Sequence, residues 1–314
     1  MDILKKCNLC KRNCLVNRYK QVGYCKQTDK IRVAKAVLTY FEEPCISNSK
    51  GSGTIFFSGC NMRCIFCQNH DIASGLKGKV LSIENLANIM LKLQDKGANN
   101  INLVTPTHFT YGIIKALEIA KNKGLVIPIV YNTSSYENID TLKDLSGLID
   151  IYLPDFKYVS SALSSEYSNA KDYFEVAKLA VAEMVRQVGS PVFFEDKEIN
   201  QFNAKNNLNL DYNLMKSGVI VRHLCMPGTT KDSKAVIKYL YETYKDDIFI
   251  SIMNQYTPLP EVNNHPKLSR KLTKKEYNSV INYALDLGLT NGFIQEGDVA
   301  SESFIPDFNF QGLL

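Results

Sequence analysis

Short apolar runs alternate with amphipathic segments from residue 54 onward, and this alternation predicts strand–helix units that build a parallel sheet. The predicted strands are 54–58, 101–104, 126–130, 149–153, 218–224, 248–252 and 292–294. The predicted helices are 83–96, 110–122, 137–145, 233–244 and 274–287, with one long helix or two shorter ones over 161–187. The pattern therefore indicates an α/β fold of about six or seven units, fewer than the eight of a closed barrel. The Asn-rich stretch 192–216 is predicted to be irregular.

Polar residues cluster where the predicted strands end. In parallel barrels the working groups gather at the C-terminal ends of the strands, in the loops that follow. This rule selects five segments, which are Cys60–Cys67, Thr105–His108, Asn132–Ser134, Pro154–Lys157 and Met226–Gly228.

The first of these segments reads Cys60-Asn-Met-Arg-Cys64-Ile-Phe-Cys67. Iron–sulfur clusters are normally held by four thiolates, so a loop with three leaves one iron open to a non-protein ligand. A zinc knuckle or three unrelated buried thiols are the alternatives. Structural zinc is held by four ligands in pairs, whereas this loop has no second CxxC pair and only His70 as a nearby nitrogen donor. The spacing favours an iron–sulfur cluster.

This CxxxCxxC spacing is the signature of the radical S-adenosylmethionine (SAM) superfamily, and its surroundings resemble the pyruvate formate-lyase activating enzymes. The resemblance runs through Gly51–Cys60 and the Asn69-x-Asp71 that follows the cysteines, and extends to the C-terminus. It is greatest to uncharacterised paralogues that share an N-terminal cysteine cluster and the phrases Val221–Gly228 and Asn254–Pro258. It implies a partial (β/α)6 TIM-like barrel over residues 51–314, with a small cysteine-rich metal-binding extension at 1–50.

The resemblance also implies a chemistry. A [4Fe-4S] cluster on Cys60, Cys64 and Cys67 would bind SAM at its open iron, and reductive cleavage of SAM would give a 5'-deoxyadenosyl radical. That radical would abstract hydrogen from a protein or peptide, with a glycyl radical enzyme as the partner by analogy and a flavodoxin- or ferredoxin-like electron donor. One alternative is radical modification of a small molecule or peptide without glycyl radical storage. Another is a non-catalytic iron–sulfur or zinc protein that binds or transfers electrons.

Contacts to SAM can be carried over from the activases at several positions. The activases receive the SAM amino group on a Gly-Gly-Glu segment, and this chain departs from them with Thr105-Pro-Thr107, whose hydroxyls could accept the same hydrogen bonds. Lys157 matches the lysine that meets the SAM carboxylate. Asp155 matches an aspartate that helps bind a monovalent cation, and Asn132, with Thr133 beside it, would complete that site.

Arg222 lies inside the apolar run 219–224, where an unpaired buried charge would be very costly. A SAM carboxylate would be a suitable partner, because the planar guanidinium matches carboxylate geometry and the activases carry an arginine before a similar Pro-Gly turn. Strand alternation places Arg222 and His223 on opposite faces, and we expect Arg222 to point into the barrel.

A second set of cysteines comprises Cys7, Cys10, Cys14 and Cys25. Four ligands indicate a closed site, which would be a structural clasp if it holds zinc and an auxiliary centre if it holds an iron–sulfur cluster. The cysteine spacing does not distinguish a zinc site from an iron–sulfur cluster.

Composition narrows the remaining classes of function. The net charge of +5, from 37 Lys and Arg against 32 Asp and Glu, is spread along the chain and does not indicate nucleic-acid binding. No apolar run approaches membrane-spanning length, and residues 1–6 lead into the cysteine-rich segment without the apolar stretch of a secretory signal. Nine cysteines in such a chain are expected to be metal ligands and buried thiols, so we expect a cytoplasmic protein.

Overall fold

A largely parallel sheet forms the centre of the fold. The structure is a computed structural model that describes residues 2–295 and 307–313, and within them ten strands form one sheet. They are β1 (Ile31–Thr39), β2 (Ser52–Phe57), β3 (Lys79–Leu81), β4 (Ile101–Val104), β5 (Ile129–Thr133), β6 (Ile151–Pro154), β7 (Val192–Phe193), β8 (Met215–Leu224), β9 (Phe249–Met253) and β10 (Gly292–Ile294).

Helices follow most of the parallel strands. They are α1 (Pro44–Ser47), α2 (His70–Ala73), α3 (Ile83–Asp95), α4 (Thr110–Asn122), α5 (Ile139–Lys143), α6 (Ser161–Ser168), α7 (Tyr173–Val188), α8 (Asp196–Asn206), α9 (Thr230–Tyr244) and α10 (Lys274–Asp286). Short 3-10 turns occur at Thr107–Phe109, Lys245–Asp247 and Pro260–Val262. In the part of the chain that is described, no helix is both long and apolar enough to cross a membrane.

The strand order is β10-β9-β8-β6-β5-β4-β2-β1-β3, with β7 paired to β8. The strands from β2 to β10 along this path are parallel to one another, whereas β1 and β3 extend the β2 edge in antiparallel fashion. Among the described residues the end strands β3 and β10 do not pair with each other, so the sheet is open and not a closed barrel. The predicted α/β class with a partial barrel is confirmed.

Both faces of the central strands are covered, which explains their continuous apolar runs. On β6, Tyr152 packs in the large core beneath the helices, whereas its neighbours Ile151 and Leu153 pack in a smaller core on the opposite face. On β8, Ile220 lies in that smaller core, and the same alternation places Arg222 on its face. The inner face therefore changes from apolar to charged toward the C-terminal ends of the strands.

Several sequence predictions differ from the structure in detail. Strand β5 begins three residues later than the predicted 126, because Pro128 lacks an N–H for the ladder and the pairing starts after it. The 161–187 stretch forms two helices, α6 and α7, separated by Asn169 in a left-handed conformation. The prediction that 192–216 is irregular is wrong, because it contains α8. That helix buries Ile199 alone and so has little apolar periodicity to reveal it.

The two ends of the described chain lie against the sheet. Residues 2–30 contain no helix or strand apart from an isolated bridge between Cys10 and Glu137. Residues 307–313 run along β1, where the Ala36 N–H donates to the Gln311 carbonyl at 3.0 Å. Phe308 there meets Phe56 of β2 edge to face, with ring centroids 5.5 Å apart. Strand β1, which the sequence analysis did not predict, thus joins both terminal segments to the main sheet.

Candidate functional site

The three-cysteine loop leaves β2 at its C-terminal end, as predicted. Cys60, Cys64 and Cys67 each retain part of their residue surface exposed to solvent. The loop begins at Gly59, where φ is +86° and a Cβ would lie 2.4 Å from the carbonyl oxygen of Cys25. Only glycine satisfies both conditions, so the first cysteine follows a turn pressed against the N-terminal segment.

Two of the three sulfurs accept hydrogen bonds from protein groups. The Ser168 hydroxyl donates to Cys64 Sγ at 2.9 Å, and the Met62 N–H donates to Cys60 Sγ at 3.3 Å. Burial raises the pKa of the Cys64 and Cys67 thiols, and the Lys157 ammonium opposes that rise. Binding to iron would supply the remaining positive charge that keeps these sulfurs as thiolates.

The donor set fits an iron–sulfur cube better than a single ion. Among the residues that the structure describes, no three His, Cys, Asp or Glu side chains converge closely enough to hold one metal ion. In a cube each thiolate binds a different iron, so the three sulfurs need to surround a common volume and need not share one point. The three thiols lie on one loop, and Cys64 and Cys67 each lie within electrostatic reach of the other two, as that arrangement requires.

Asp155 and Lys157 lie at the end of β6 and point the same way, as alternation predicts. Lys157 Nζ donates to Asp155 Oδ2 at 2.7 Å, and the two side chains are 16% and 19% exposed. Burial alone would lower the pKa of Lys157, but the Asp155 carboxylate and the Cys64 thiol raise it. The lysine is therefore a cation held beside the three-cysteine loop.

Arg222 of β8 faces the same interior, and its partners are protein groups. Its Nε donates to Asp155 Oδ1 at 3.1 Å, Nη2 to Asn132 Oδ1 at 2.8 Å and Nη1 to Glu42 Oε2 at 3.0 Å. The neighbouring His223 points to the other face, where its Nδ1–H donates to the Phe156 carbonyl at 2.8 Å. The structure thus brings Asn132, Asp155, Lys157 and Arg222 together, as predicted.

Glu42 is a member of this cluster that sequence reasoning missed. It follows β1, and its Oε1 accepts from Asn102 Nδ2 at 3.1 Å. Burial raises the pKa of its carboxyl, an effect that Arg222 opposes. No local signal marks Glu42, because its charged partner lies 180 residues away in the sequence.

The two threonines after β4 differ in accessibility. Thr105 is partly exposed at the end of the strand, with φ at +58°. Thr107 is 1% exposed, and its hydroxyl donates to Glu137 Oε1 at 2.6 Å. The Thr133 hydroxyl donates to the same oxygen. Burial raises the pKa of Glu137 to about 7, against the hydrogen bonds from Thr107, Thr133 and Tyr131. Glu137 was also missed.

The loop after β9 contacts the three-cysteine loop. Gln68 Nε2 donates to the Gln255 carbonyl at 2.7 Å, and the ring of Phe66 lies 6.4 Å from that of Tyr256. Phe66 is 6% exposed, so its main role is packing. The Asn254–Pro258 phrase singled out in the sequence is therefore adjacent to the cysteines.

The N-terminal cysteines form a second group. Cys10 and Cys25 are buried, and burial raises the pKa of both thiols. Each lies within electrostatic reach of Cys7, and Cys25 also of Cys14. A Cβ on Gly23 would lie 3.4 Å from Cys14 Sγ and 3.5 Å from Cys25 Sγ. The four residues therefore share one small region beside the sheet.

Comparison with known proteins decides between the iron–sulfur and zinc interpretations of the three-cysteine loop. Residues 54–195 match the model of the radical SAM superfamily. The chain carries a radical SAM domain. The matched segment begins in β2 and includes the three cysteines, Asn132, Asp155 and Lys157, whereas Arg222 and the N-terminal cysteines lie outside it. A radical SAM domain uses a [4Fe-4S] cluster with SAM.

Individual relatives are more distant. An uncharacterized protein of Methanocaldococcus jannaschii is 28% identical over 300 residues, which cover 91% of this chain and 77% of that protein. SuiB of Streptococcus suis, solved with its precursor peptide SuiA, has a TM-score of 0.49 at 14% identity, over 76% of this chain and 47% of SuiB. A domain of a pyruvate-formate lyase-activating enzyme from Bacteroides vulgatus has a TM-score of 0.35 at 13% identity, over 60% of this chain and 91% of that domain. This chain therefore matches less than half of SuiB.

Proposed function

We propose that this protein is a cytoplasmic radical SAM enzyme of the activase type, which abstracts hydrogen from a protein or peptide. One observation carries the proposal. Within a radical SAM domain, the partly exposed residues Cys60, Cys64 and Cys67 lie at the same edge of the sheet as the paired Asp155 and Lys157. When bound, the cluster supplies the electron that cleaves SAM to methionine and a 5'-deoxyadenosyl radical. The protein residues bind and orient SAM and exclude water.

Lys157 is our proposed contact to the SAM carboxylate. One of its N–H groups donates to Asp155, and an ammonium has further donors to offer. Arg222 is the other candidate, but all three of its nitrogens already donate to Asp155, Glu42 or Asn132. Arg222 would reach a SAM carboxylate by exchanging one of these partners, and it otherwise holds Asp155 in place.

Thr105 is our proposed acceptor for the SAM amino group. Its partial exposure leaves it available at the end of β4, whereas the Thr107 hydroxyl is buried against Glu137. A monovalent cation at Asp155 and Asn132 is also proposed. Because the side-chain oxygens of both residues accept from Lys157 or Arg222, such a cation would have to displace one of those contacts.

The substrate class is supported by the resemblance to activases and by the open sheet. Because β3 and β10 do not pair with each other among the described residues, the sheet is open on that side, where a segment of another chain could enter. We propose a glycyl radical enzyme as the partner and a flavodoxin- or ferredoxin-like protein as the electron donor. For Cys7, Cys10, Cys14 and Cys25 we propose a second metal site, either zinc or iron–sulfur. No three of these side chains converge on one point among the described residues, so a single zinc ion would have to draw the thiols together.

The proposal is tested by anaerobic reconstitution with iron and sulfide, followed by reduction with dithionite in the presence of SAM. We expect 5'-deoxyadenosine and methionine in equal amounts from the wild type. Cys64→Ala should abolish both products, because it removes a cluster ligand. Cys45→Ala is the matched control, since Cys45 is buried in the smaller core away from the loop. A reconstituted protein that holds a cluster and never cleaves SAM would contradict the proposal.

The second metal site is identified by elemental analysis of the wild type and Cys10→Ala. The element whose content falls in the variant is the one bound there. A loss of zinc assigns a structural zinc site, and a loss of iron with sulfide assigns an auxiliary cluster. Equal metal content in the two proteins would contradict a metal site at these cysteines.

A further inference from the structure

Arg12 lies between two of the N-terminal cysteines and reaches across to the three-cysteine loop. One residue separates it from Cys10 on one side and from Cys14 on the other. Its Nε donates to the carbonyl oxygen of Asn61 at 2.6 Å, and Nη2 lies 3.5 Å from the carbonyl oxygen of Met62. Asn61 and Met62 follow Cys60 directly, so the guanidinium binds the backbone between the first two cluster ligands.

The same guanidinium binds the C-terminal end of α6. Nη2 donates to the carbonyl oxygen of Ser168 at 3.3 Å, and Nη1 donates to that of Asn169. Ser168 is the residue whose hydroxyl donates to Cys64 Sγ. Arg12 therefore fixes both the loop that carries the cysteines and the helix end that hydrogen-bonds one of their sulfurs. Carbonyls at a helix C-terminus are well suited to a cation.

Aromatic rings complete the environment of Arg12. Its guanidinium stands 4.2 Å from the ring centroid of Tyr24 and 4.8 Å from that of Tyr136. Arg63, which lies inside the three-cysteine loop, stands 4.3 Å from the Tyr24 ring and donates to the Tyr24 carbonyl. Tyr24 immediately precedes Cys25. Two arginines, one from each cysteine set, thus meet on one ring of the N-terminal segment.

We infer that Arg12 is a positioning residue that makes the geometry of the Cys60–Cys67 loop depend on the N-terminal cysteine segment. The inference rests on the proposed function, because it concerns the cluster that this loop holds. A metal held by Cys10 and Cys14 would fix the backbone on both sides of Arg12, and the side chain would transmit that order to the loop and to Ser168. Groups that orient metal ligands in this way commonly change metal affinity or activity by about 10- to 100-fold when removed.

Two variants test the inference. Arg12→Ala removes every contact, whereas Arg12→Lys keeps the positive charge and the cation–π contact but cannot bridge several carbonyls with a planar fork. Lys11→Ala is the matched control, because Lys11 is the exposed neighbour in the sequence. Each protein is reconstituted anaerobically, and its far-UV circular dichroism and metal content are measured first.

The deciding readout is electron paramagnetic resonance of the reduced protein with and without SAM. Only a cluster with an open iron changes its signal when SAM binds, so the SAM-dependent part of the spectrum reports the Cys60–Cys67 cluster even if the N-terminal site also holds iron. We expect that part to fall by about tenfold in Arg12→Ala and Arg12→Lys and to be unchanged in Lys11→Ala. If Arg12→Ala does not fold, the SAM-dependent signal of Arg12→Lys alone tests the inference.

The outcomes separate this inference from the proposed function. A SAM-dependent signal of wild-type intensity in a folded Arg12→Lys protein overturns the inference, while deoxyadenosine formation by the wild type still supports the enzyme. If the wild type shows the SAM-dependent signal but forms no deoxyadenosine, the proposed function fails. The loss of signal in the Arg12 variants would then still establish the positioning role.

Discussion

Asn132 and Thr133 are neighbours at the end of β5, yet they belong to two different polar centres. Alternation along the strand sends Asn132 to the inner face, where it accepts from Arg222 beside Asp155 and Lys157. Thr133 points the other way and donates to Glu137. Both centres contain a carboxyl group with little exposure to solvent, and they differ in what surrounds it.

The difference shows what keeps a buried carboxyl ionised. Burial favours the neutral form of Asp155, but Lys157 and Arg222 hold its pKa below the usual range. Glu137 is contacted by hydroxyl groups, which are weaker than full charges, and burial raises its pKa to about 7. The inner centre is therefore a stable array of ions, whereas the outer one contains a carboxyl group that titrates near pH 7.

Removing the charge of Asp155 should have the largest effect. Asp155→Asn leaves Lys157 and part of Arg222 without a counter-charge, and we expect it to lower the free energy of unfolding by about 3 kcal/mol at pH 7. Urea unfolding measures this, with Asp140→Asn as the exposed control. Because the folded-state pKa is depressed, the wild-type advantage exists above the unfolded pKa and is lost as the pH falls through the folded pKa. A loss below about 0.5 kcal/mol, the scatter of surface substitutions, would contradict the ionic array.

The second prediction concerns Glu137→Gln and has the opposite pH dependence. The folded state keeps the Glu137 proton up to about pH 7, while the unfolded state releases it near the ordinary value of 4.5. Wild-type stability should therefore fall across this interval by up to about 3 kcal/mol more than that of the variant. Unfolding midpoints at pH 4.5 and 8 measure the difference, and Glu118→Gln on the exposed side of α4 is the control. Parallel pH profiles for Glu137→Gln and the wild type would show that Glu137 is ionised throughout.

Thr133→Val should have the smallest effect. It removes one donor to Glu137 at nearly constant volume, which we expect to cost about 1 kcal/mol at pH 8. The pKa of Glu137 should rise further, so the decline of stability would continue to higher pH than in the wild type. Thr133→Ser retains the hydroxyl and should restore the wild-type profile. If Thr133→Val and Thr133→Ser behave alike, the hydroxyl does not control this carboxyl.

The inner centre was largely predictable from the sequence, and the outer one was not. Asp155 and Lys157 follow an apolar run at a spacing of two, so alternation places both on one face. Alternation also separates Arg222 from His223, and the resemblance to the activases favoured Arg222 as the residue that points inward. Glu137 was read as the start of a helix, which begins instead at Ile139 after the Asn138 cap. Its hydroxyl partners, Thr107 and Thr133, come from the 3-10 turn after β4 and from the end of β5, and they share no sequence pattern.

The contacts of Arg12 and Glu42 join residues far apart in the sequence, so no local sequence pattern could predict them. Arg12 meets the helix end at Asn169 across 157 residues, and Glu42 meets Arg222 across 180. Each is one charged residue in a segment without regular periodicity, where most such residues are solvated. The fold class follows from repeated apolar runs, while these pairings depend on how the finished sheet brings its edges and loops together.

Gly59 restricts which residues can occupy position 59. Its backbone conformation disfavours most side chains, and its contact with the Cys25 carbonyl excludes any Cβ at all. Asparagine tolerates a positive φ, so it becomes admissible at position 59 only in a descendant that has lost or displaced the Cys25 segment. The two cysteine sets thus constrain each other at this position, because a side chain at residue 59 requires the Cys25 segment to move.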